Sequence, residues 1–180
     1  MALRDNRLTD DEATFLALLA RVEPATAHQL SKIYADSPVS NFGTSKGKIY
    51  PLVRRLKQRG LIDSEPVASD ARKSELLRSS SAGREAVRQW IKEIRPGHLL
   101  PEDPLRTMVQ SLPLLPPREQ TQWVSSMEDA LQAKLAEVEC YGAGVTVPFK
   151  DLVHDSAVSM IRMRLKWLGK LRDAILEQQD

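Results

Sequence analysis

The sequence predicts a mostly α-helical protein with one small β-hairpin, divided into two domains, and three observations support this fold class. Apolar residues recur at helical spacing through most of the 180 residues. One pair of extended segments, 61–68 and 73–79, is separated by residues of turn composition, which is typical of a hairpin. A break at Pro96 separates a first domain, residues 1–95, from a second domain, residues 98–180.

Each of the three helices predicted before the hairpin has a start or a stop signal. Thr9 and Glu12 form a capping box ahead of the first helix, and Thr26 is suited to cap the second. The third helix is predicted over residues 45–59, followed by Gly60 in the C′ position that favours glycine. Its apolar positions have the spacing of one helix face, namely Ile49, Leu52, Val53 and Leu56.

The third helix contains a proline, and the hairpin is followed by a fourth helix. Because an internal proline costs a helix up to about 3 kcal/mol, Pro51 leaves two alternatives open: the helix begins near Lys48, or it is bent at the proline. Ser80 or Ser81 is expected to cap the fourth helix. The apolar positions expected on that helix are Ala82, Val87, Trp90, Ile91 and Ile94.

Basic residues are concentrated in the first domain. Residues 1–95 contain 17 Lys and Arg against 12 Asp and Glu, whereas the remaining residues contain 9 against 12. Six of the basic residues lie within 46–59, a segment without any acidic residue. The order helix, helix, helix, hairpin, helix is that of a winged helix-turn-helix, in which the third helix enters the major groove and the hairpin reaches the neighbouring backbone. The sequence therefore predicts double-stranded DNA as a partner.

The segment 43–56, Gly-Thr-Ser-Lys-Gly-Lys-Ile-Tyr-Pro-Leu-Val-Arg-Arg-Leu, followed by Gly-Leu-Ile at 60–62, resembles the PadR family of transcriptional regulators. The resemblance is strong over about 9–95 and looser over about 98–178. It implies a homodimeric, sequence-specific DNA-binding regulator, expected to be a repressor on a palindromic operator and to be released by a small-molecule effector. Where the family has an apolar strand residue, this chain has Ser79, which is expected to loosen the packing of the second strand.

The predicted DNA contacts come from the third helix, the residues before it and the tip of the hairpin. They are Thr44, Ser45, Lys46, Lys48, Tyr50, Arg54, Arg55, Arg72 and Lys73. The resemblance implies that Tyr50 hydrogen-bonds a phosphate, whereas the alternative is a half-buried ring packed under the first helix. Ser45 is equally suited to cap the helix, and the two hairpin residues are equally suited to a solvated turn.

The second domain is expected to be helical after a proline-punctuated start. Helices are predicted over 104–111, about 118–141 and about 149–178. The last would span about 45 Å at 1.5 Å per residue. Its broad apolar face needs another apolar surface to cover it, and a second copy of the chain is the simplest way to supply that surface. The predicted coiled-coil-like dimerisation surface consists of Val153, Ala157, Met160, Ile161, Leu168, Leu171 and Ile175.

Two tryptophans of the second domain allow two interpretations. In some relatives an aromatic-lined space near the dimer interface binds a flat effector, so Trp123 and Trp167 are candidates for such a site. The alternative is that both rings pack in the core or the dimer interface, and the sequence favours this packing role.

Enzyme and membrane functions are not expected. Segment 43–48 lacks the glycine spacing and the hydroxyl of a phosphate-binding loop, and His28, His98 and His154 have no metal-ligand spacing. We therefore predict no cofactor and no metal. Without a long apolar run or a leader sequence, we expect a cytoplasmic protein. The alternative function is a winged helix that contacts proteins and has no affinity for DNA.

Overall fold

The structure is a computed structural model, and it describes residues 7–40, 42, 45–67, 74–100, 102–141 and 147–178, without the side chain of Lys46. The chain forms two compact units, residues 1–99 and 100–180. The predicted fold class is confirmed, because the described residues are mostly helical and contain one small antiparallel sheet. Within these residues, no helix combines the length and the apolar character needed to cross a bilayer.

The described part of the first unit contains helices and three short strands. In chain order these are α1 (Asp10–Val22), β1 (Ala25–Thr26), α2 (Ala27–Ala35), α3 (Lys46–Gln58), β2 (Ile62–Pro66), β3 (Glu75–Ser79), α4 (Ser81–Lys92) and α5 (Pro96–Leu99). The predicted hairpin is confirmed as β2 and β3, which pair antiparallel from Ile62 opposite Ser79 to Pro66 opposite Glu75.

The sheet has one strand more than the sequence predicted. Its order is β1-β3-β2, and Ala25 of β1 lies opposite Leu77 of β3. A two-residue strand is too short to show any alternation of apolar and polar residues, so periodicity could not reveal it. β1 is the segment that joins α1 to α2, and its pairing with β3 ties the hairpin to these two helices.

The predicted capping box at Thr9 and the predicted cap at Thr26 are confirmed, and the cap at Thr26 is also a full capping box. The Thr9 hydroxyl accepts a hydrogen bond from the Glu12 N–H at 3.2 Å, and the Glu12 carboxylate accepts one from the Thr9 N–H at 3.1 Å. Thr26 and Gln29 make the same exchange at the start of α2, at 3.2 and 2.7 Å. These bonds satisfy N–H groups that the first turn of a helix leaves without a partner.

Helix α3 begins at Lys46 and continues through Pro51, so the alternative start near Lys48 is wrong. The proline is the sixth helical residue, and its missing N–H removes a bond close to the helix start. At the other end, Gly60 has the predicted left-handed conformation, with φ of 72°. The N–H of Gly60 donates to the Lys57 carbonyl and that of Leu61 to the Leu56 carbonyl, both at 2.9 Å, which closes α3 with a Schellman motif.

The core of the first unit lies between α1, α2, α3, the sheet and α4. Its largest fully buried side chains are Phe15, Leu16, Leu19, Leu30, Ile49, Leu52, Leu56, Leu61 and Leu77. Helix α4 packs closely because Gly83 lies against the backbone of Leu61: a β-carbon at Gly83 would be 2.1 Å from the Leu61 carbonyl oxygen.

The prediction for α4 was wrong at its C-terminal end and at Ala82. Ile91 and Ile94 are exposed, as is Ala82, whereas Val87 is buried and Trp90 packs at the edge of the core. The reason is that α4 ends at Lys92, so Ile94 lies beyond the helix. Ile91 lies in the last turn of α4 and is 68% exposed, so the core does not cover it there.

The prediction that Ser79 loosens the second strand was also wrong. Ser79 is buried, and its hydroxyl and its N–H both donate to the Glu23 carboxylate, at 2.6 and 2.5 Å. Arg84 donates to the other oxygen of the same carboxylate at 2.5 Å. Burial opposes ionisation of Glu23, but these donors outweigh it and hold the pKa of Glu23 below its ordinary value. Glu23 thus fastens the end of α1 to β3 and α4.

The described part of the second unit is helical. Its elements are α6 (Pro104–Ser111), a 3-10 turn (Leu112–Leu114), α7 (Pro117–Tyr141) and α8 (Lys150–Glu177), as the sequence predicted to within one residue at the helix ends. Helices α7 and α8 run antiparallel and are joined by ion pairs. These are Arg162 with Glu139 at 2.8 Å and Arg172 with Glu128 at 2.9 Å.

Candidate nucleic-acid interface

Helix α3 has one face in the core and the opposite face open to solvent. All four residues of the predicted apolar stripe are buried. On the other side, Gly47, Tyr50 and Arg54 lie at helical spacing along one exposed face. The Tyr50 side chain is 51% exposed, so the alternative of a half-buried ring under α1 is wrong. A β-carbon at Gly47 would have no atom within 4 Å, which leaves the helix backbone accessible there.

Most basic side chains of α3, and that of Arg59 at its C-cap, are paired with acidic residues from other elements. Within the described residues the pairs are Lys48 with Asp11 at 3.0 Å, Arg55 with Glu12 at 3.6 Å, Lys57 with Glu75 at 2.7 Å and Arg59 with Glu12 at 2.8 Å. Arg54 is exposed and has no acidic partner among them. The segment that contains no acid in the sequence is thus surrounded by carboxylates in the fold, and Arg54 is the strongest candidate for an uncompensated charge.

Glu12 connects the start of α1 to the end of α3. Its carboxylate is buried, which opposes ionisation, but the Thr9 N–H and the guanidinium of Arg59 outweigh burial and hold the pKa of Glu12 below its ordinary value. Arg59 also donates to the Arg7 carbonyl at 2.9 Å. Arg55, a predicted DNA contact, shares this carboxylate and is therefore less available to another anion.

Lys48 is held near the start of α3 by two neighbours. Besides the ion pair with Asp11, its ammonium lies 5.0 Å from the centre of the Phe42 ring, a cation–π contact. Phe42 in turn stacks on Tyr34 at 4.4 Å, and the Tyr34 hydroxyl donates to the Thr14 carbonyl at 2.9 Å. This cluster could not be predicted from the sequence, because its members come from α1, α2, α3 and the segment before α3.

Several predicted DNA contacts lie outside the described part of the molecule. These are Thr44, Arg72, Lys73 and the side chain of Lys46. Ser45 occupies the N-cap position of α3, but its hydroxyl makes no capping hydrogen bond. The described residues therefore bring together Ser45, Lys48, Tyr50, Arg54 and Arg55 on α3 and its N-terminal end.

Helix α8 has two apolar faces rather than one. Leu168 is fully buried and Ile175 nearly so, both in a core with Val124 of α7, and Leu171 packs against that core. These three predicted dimerisation residues are thus engaged within their own chain, and Leu168 and Ile175 are unavailable to a partner. The reason is that α7 covers the side of α8 on which they lie.

The second apolar face of α8 is exposed. Val153 and Met160 of the predicted surface are on it. Ala157 and Ile161 are half-buried and instead share the helix face of Leu168, because Ile161 precedes Leu168 by seven residues and Ala157 precedes Ile161 by four. The prediction missed further members of the exposed face. These are Leu152 and Met163, and Phe149, which precedes the helix at its N-cap, is exposed as well.

Trp123 and Trp167 are both half-buried and pack against the core of the second unit. This is the packing role that the sequence favoured, and an effector site at these rings stays a prediction. Among the described residues, no group of three or more His, Cys, Asp or Glu is placed to hold a metal ion.

Comparison with solved structures relates this architecture to known proteins. The crystal structure of Bacillus subtilis PadR in complex with operator DNA matches with a TM-score of 0.74 and 17% identity, over 91% of this chain and 98% of that chain. A PadR-like transcriptional regulator from Bacillus cereus matches with a TM-score of 0.69 and 20% identity, over 94% and 99%. The chain has the PadR fold. The resemblance seen in the sequence is confirmed at the level of the fold.

Two further matches show the range of proteins that share the PadR fold. Bacillus subtilis PadR in complex with p-coumaric acid matches with a TM-score of 0.72 and 16% identity, over 91% of this chain and 97% of that chain. The Vibrio cholerae virulence activator AphA matches with a TM-score of 0.68 and 12% identity, over 94% and 99%. No family model matches the sequence, and no curated protein matches it either.

Proposed function

We propose that this protein is a sequence-specific DNA-binding transcriptional regulator that places α3 in the major groove. The observation that carries the proposal is the exposed face of Gly47, Tyr50 and Arg54, opposite a face that is wholly buried. A protein with the same fold was crystallised with operator DNA, which supports this function.

The side chains on this face suit the chemistry of DNA. The Tyr50 hydroxyl donates to a phosphate, and Arg54 donates to a phosphate or to the O6 and N7 of a guanine. Gly47 lets the DNA backbone approach the start of α3, where helix N–H groups attract anions. The proposed interface continues at the start of the helix with Thr44, Ser45, Lys46 and Lys48. It also includes Arg55 of α3 and two residues of the hairpin, Arg72 and Lys73.

The proposal includes a homodimer built on the exposed apolar face of α8. Val153, Met160 and their exposed neighbours give this face an apolar surface that needs a cover. A second copy supplies one symmetrically, as an antiparallel or crossed helix pair. Two α3 helices held in this way would read half-sites about one helical turn apart on a palindromic operator.

The DNA interface is tested with Arg54→Ala and a matched control, Arg88→Ala. Both arginines are exposed, but Arg88 is on α4 and pairs with Glu85. Binding to a labelled duplex of about 30 base pairs, long enough for two half-sites, is measured by fluorescence anisotropy between about 50 and 200 mM salt. Arg54→Ala should weaken binding and reduce the salt slope by about 1 per protomer, whereas Arg88→Ala should leave both unchanged.

The alternative, a winged helix that contacts only proteins, predicts a different result. In that case the parent would show no salt-dependent affinity for duplex DNA, and Arg54→Ala would change nothing. Equal losses in Arg54→Ala and Arg88→Ala would instead indicate attraction by net charge, without a role for the exposed face of α3.

The dimer is tested with Met160→Glu and Met108→Glu, measured by sedimentation velocity. Both methionines are about half exposed, but Met108 is on α6 and not on α8. We expect Met160→Glu to sediment as a folded monomer and Met108→Glu to remain dimeric. A dimeric Met160→Glu protein would place the interface elsewhere.

Repression and release by an effector are the finer parts of the proposal. Support for a flat aromatic effector comes from the B. subtilis protein crystallised with p-coumaric acid. A V. cholerae protein of the same fold is an activator. Repression therefore has to be distinguished from activation, by a promoter-reporter assay in the cytoplasm of a bacterial host. A reporter that rises when this protein is removed would support repression.

A further inference from the structure

We propose that Asp11 competes with DNA phosphate for the Lys48 ammonium and so sets the affinity of the interface below its attainable value. This inference rests on the proposed function and adds a residue that opposes binding. Lys48 is the third residue of α3, in the N-terminal part of the helix that would enter the groove. Its charge is already compensated within the chain, by a carboxylate 3.0 Å away.

The ion pair is accessible to solvent and therefore open to exchange. The side chains of Lys48 and Asp11 are 38% and 52% exposed. The Phe42 ring, 5.0 Å from the ammonium, holds Lys48 on the side that faces α1. An approaching phosphate must either draw Lys48 away from Asp11 and Phe42 or accept a carboxylate beside it. Both outcomes lower the affinity for DNA.

The Asp11 side chain makes fewer contacts in the fold than the side chains of its two acidic neighbours. Asp10 accepts hydrogen bonds from Trp90 at 2.9 Å and from Arg95 at 2.7 Å. Glu12 is buried and completes the capping box. Within the described residues, the side chain of Asp11 makes its ion pair with Lys48 and no other. An exposed pair of this kind contributes little to stability, and a negative charge in the first turn of a helix contributes only modestly. The charge of Asp11 can therefore be removed without unfolding the first unit.

The salt dependence of binding gives a signature of this competition. A lysine that is already neutralised by a carboxylate releases fewer counterions when it meets a phosphate. Removing the Asp11 charge should therefore free Lys48 to act as one more phosphate contact. The slope of log affinity against log salt should become steeper by about 0.9 per protomer.

The experiment compares the parent with Asp11→Asn, using a labelled mixed-sequence duplex of about 30 base pairs, because phosphate contacts do not depend on sequence. We expect Asp11→Asn to bind about two- to fivefold more tightly per protomer at low salt, with the steeper slope. Glu85→Gln is the matched control: it removes the same charge from α4, where Glu85 contacts Arg88 and Gln89 of its own helix. This control should leave affinity and slope unchanged.

A double-mutant cycle with Lys48→Met separates competition from a general charge effect. The gain from Asp11→Asn should disappear in the Lys48→Met background. If the gain persists there, or if Lys48→Met weakens binding while Asp11→Asn does not strengthen it, the competition is refuted and the DNA-binding function stands. If the parent does not bind the duplex at all, the proposed function fails and this inference fails with it.

Discussion

Replacing Glu12 with Gln is expected to destabilise the first unit at neutral pH but not in acid. The Glu12 carboxylate accepts from the Thr9 N–H at 3.1 Å and from Arg59 at 2.8 Å, with Arg55 3.6 Å away. Both bonds are accepted by the same oxygen, Oε2, so the carbonyl oxygen of Gln can accept them, but the negative charge beside Arg59 and Arg55 is lost. Hydrogen bonds to charged groups contribute about 1.5–3 kcal/mol. The arginines are 26% and 55% exposed, so water compensates them in part. We expect a loss of about 2 kcal/mol.

The dependence on pH follows from the direction of the pKa shift. Folding lowers the pKa of Glu12 from its ordinary value of 4.5. The ionised carboxylate therefore stabilises the fold above pH 4.5, and this contribution is lost as the pH falls through the lower, folded pKa. Once protonated, Glu12 is neutral like Gln. The difference between the parent and Glu12→Gln should be largest at pH 7 and should shrink in acid.

Urea unfolding at several pH values measures this difference. With Trp123 and Trp167 changed to Phe in both proteins, the fluorescence of Trp90 reports the first unit alone. Glu65→Gln is the control, because its pair with Arg78 is exposed on both sides, and it should change stability by less than about 0.5 kcal/mol. A Glu12→Gln effect that is absent at pH 7, or that stays constant into acid, would refute the account given for Glu12.

Three further substitutions test the packing of the two units by thermal and urea unfolding. Gly83→Ala should cost about 1–3 kcal/mol, because its β-carbon would meet the Leu61 carbonyl oxygen at 2.1 Å; wild-type stability would mean that α4 can shift. Ser79→Ala should cost about 1.5 kcal/mol through the lost bond to Glu23, and a stabilised variant would contradict the anchoring role. Leu168→Ala should cost about 2–5 kcal/mol by leaving a cavity, and a loss of dimer without loss of stability would reverse its assignment.

The elements of the fold were largely predictable, because their signals are local. The stripe from Ile49 to Leu56 indicated the inward face of α3, and the capping box at Thr9 and the cap at Thr26 indicated two helix starts. The errors arose at positions whose burial depends on residues that are distant in the sequence. Ser79 lacks the apolar character of a strand residue, yet it is buried because Glu23 supplies a hydrogen-bond partner. Ile91 fits a helical pattern, yet nothing covers it where α4 ends.

The candidate site was predicted in outline but not in its electrostatics. The sequence located the basic helix and its exposed residues, including Tyr50 and Arg54. It did not locate the acids that compensate Lys48 and Arg55, since these acids belong to α1. The capping signals of α1 gave Glu12 a role in its own helix, and no spacing rule connected it to Arg59, 47 residues away.

The sequence by itself determined the order of the elements, the inward face of α3 and the basic character of that helix, because helical periodicity and capping depend on residues three or four positions apart. The tertiary structure alone decided which charges of α3 remain uncompensated, where β1 pairs, and which apolar residues of α8 remain exposed. These outcomes depend on packing and Coulomb attraction between distant segments. Lys48 and Arg54 are both basic residues of one helix, but within the described part of the chain a carboxylate of α1 pairs with Lys48 and none pairs with Arg54.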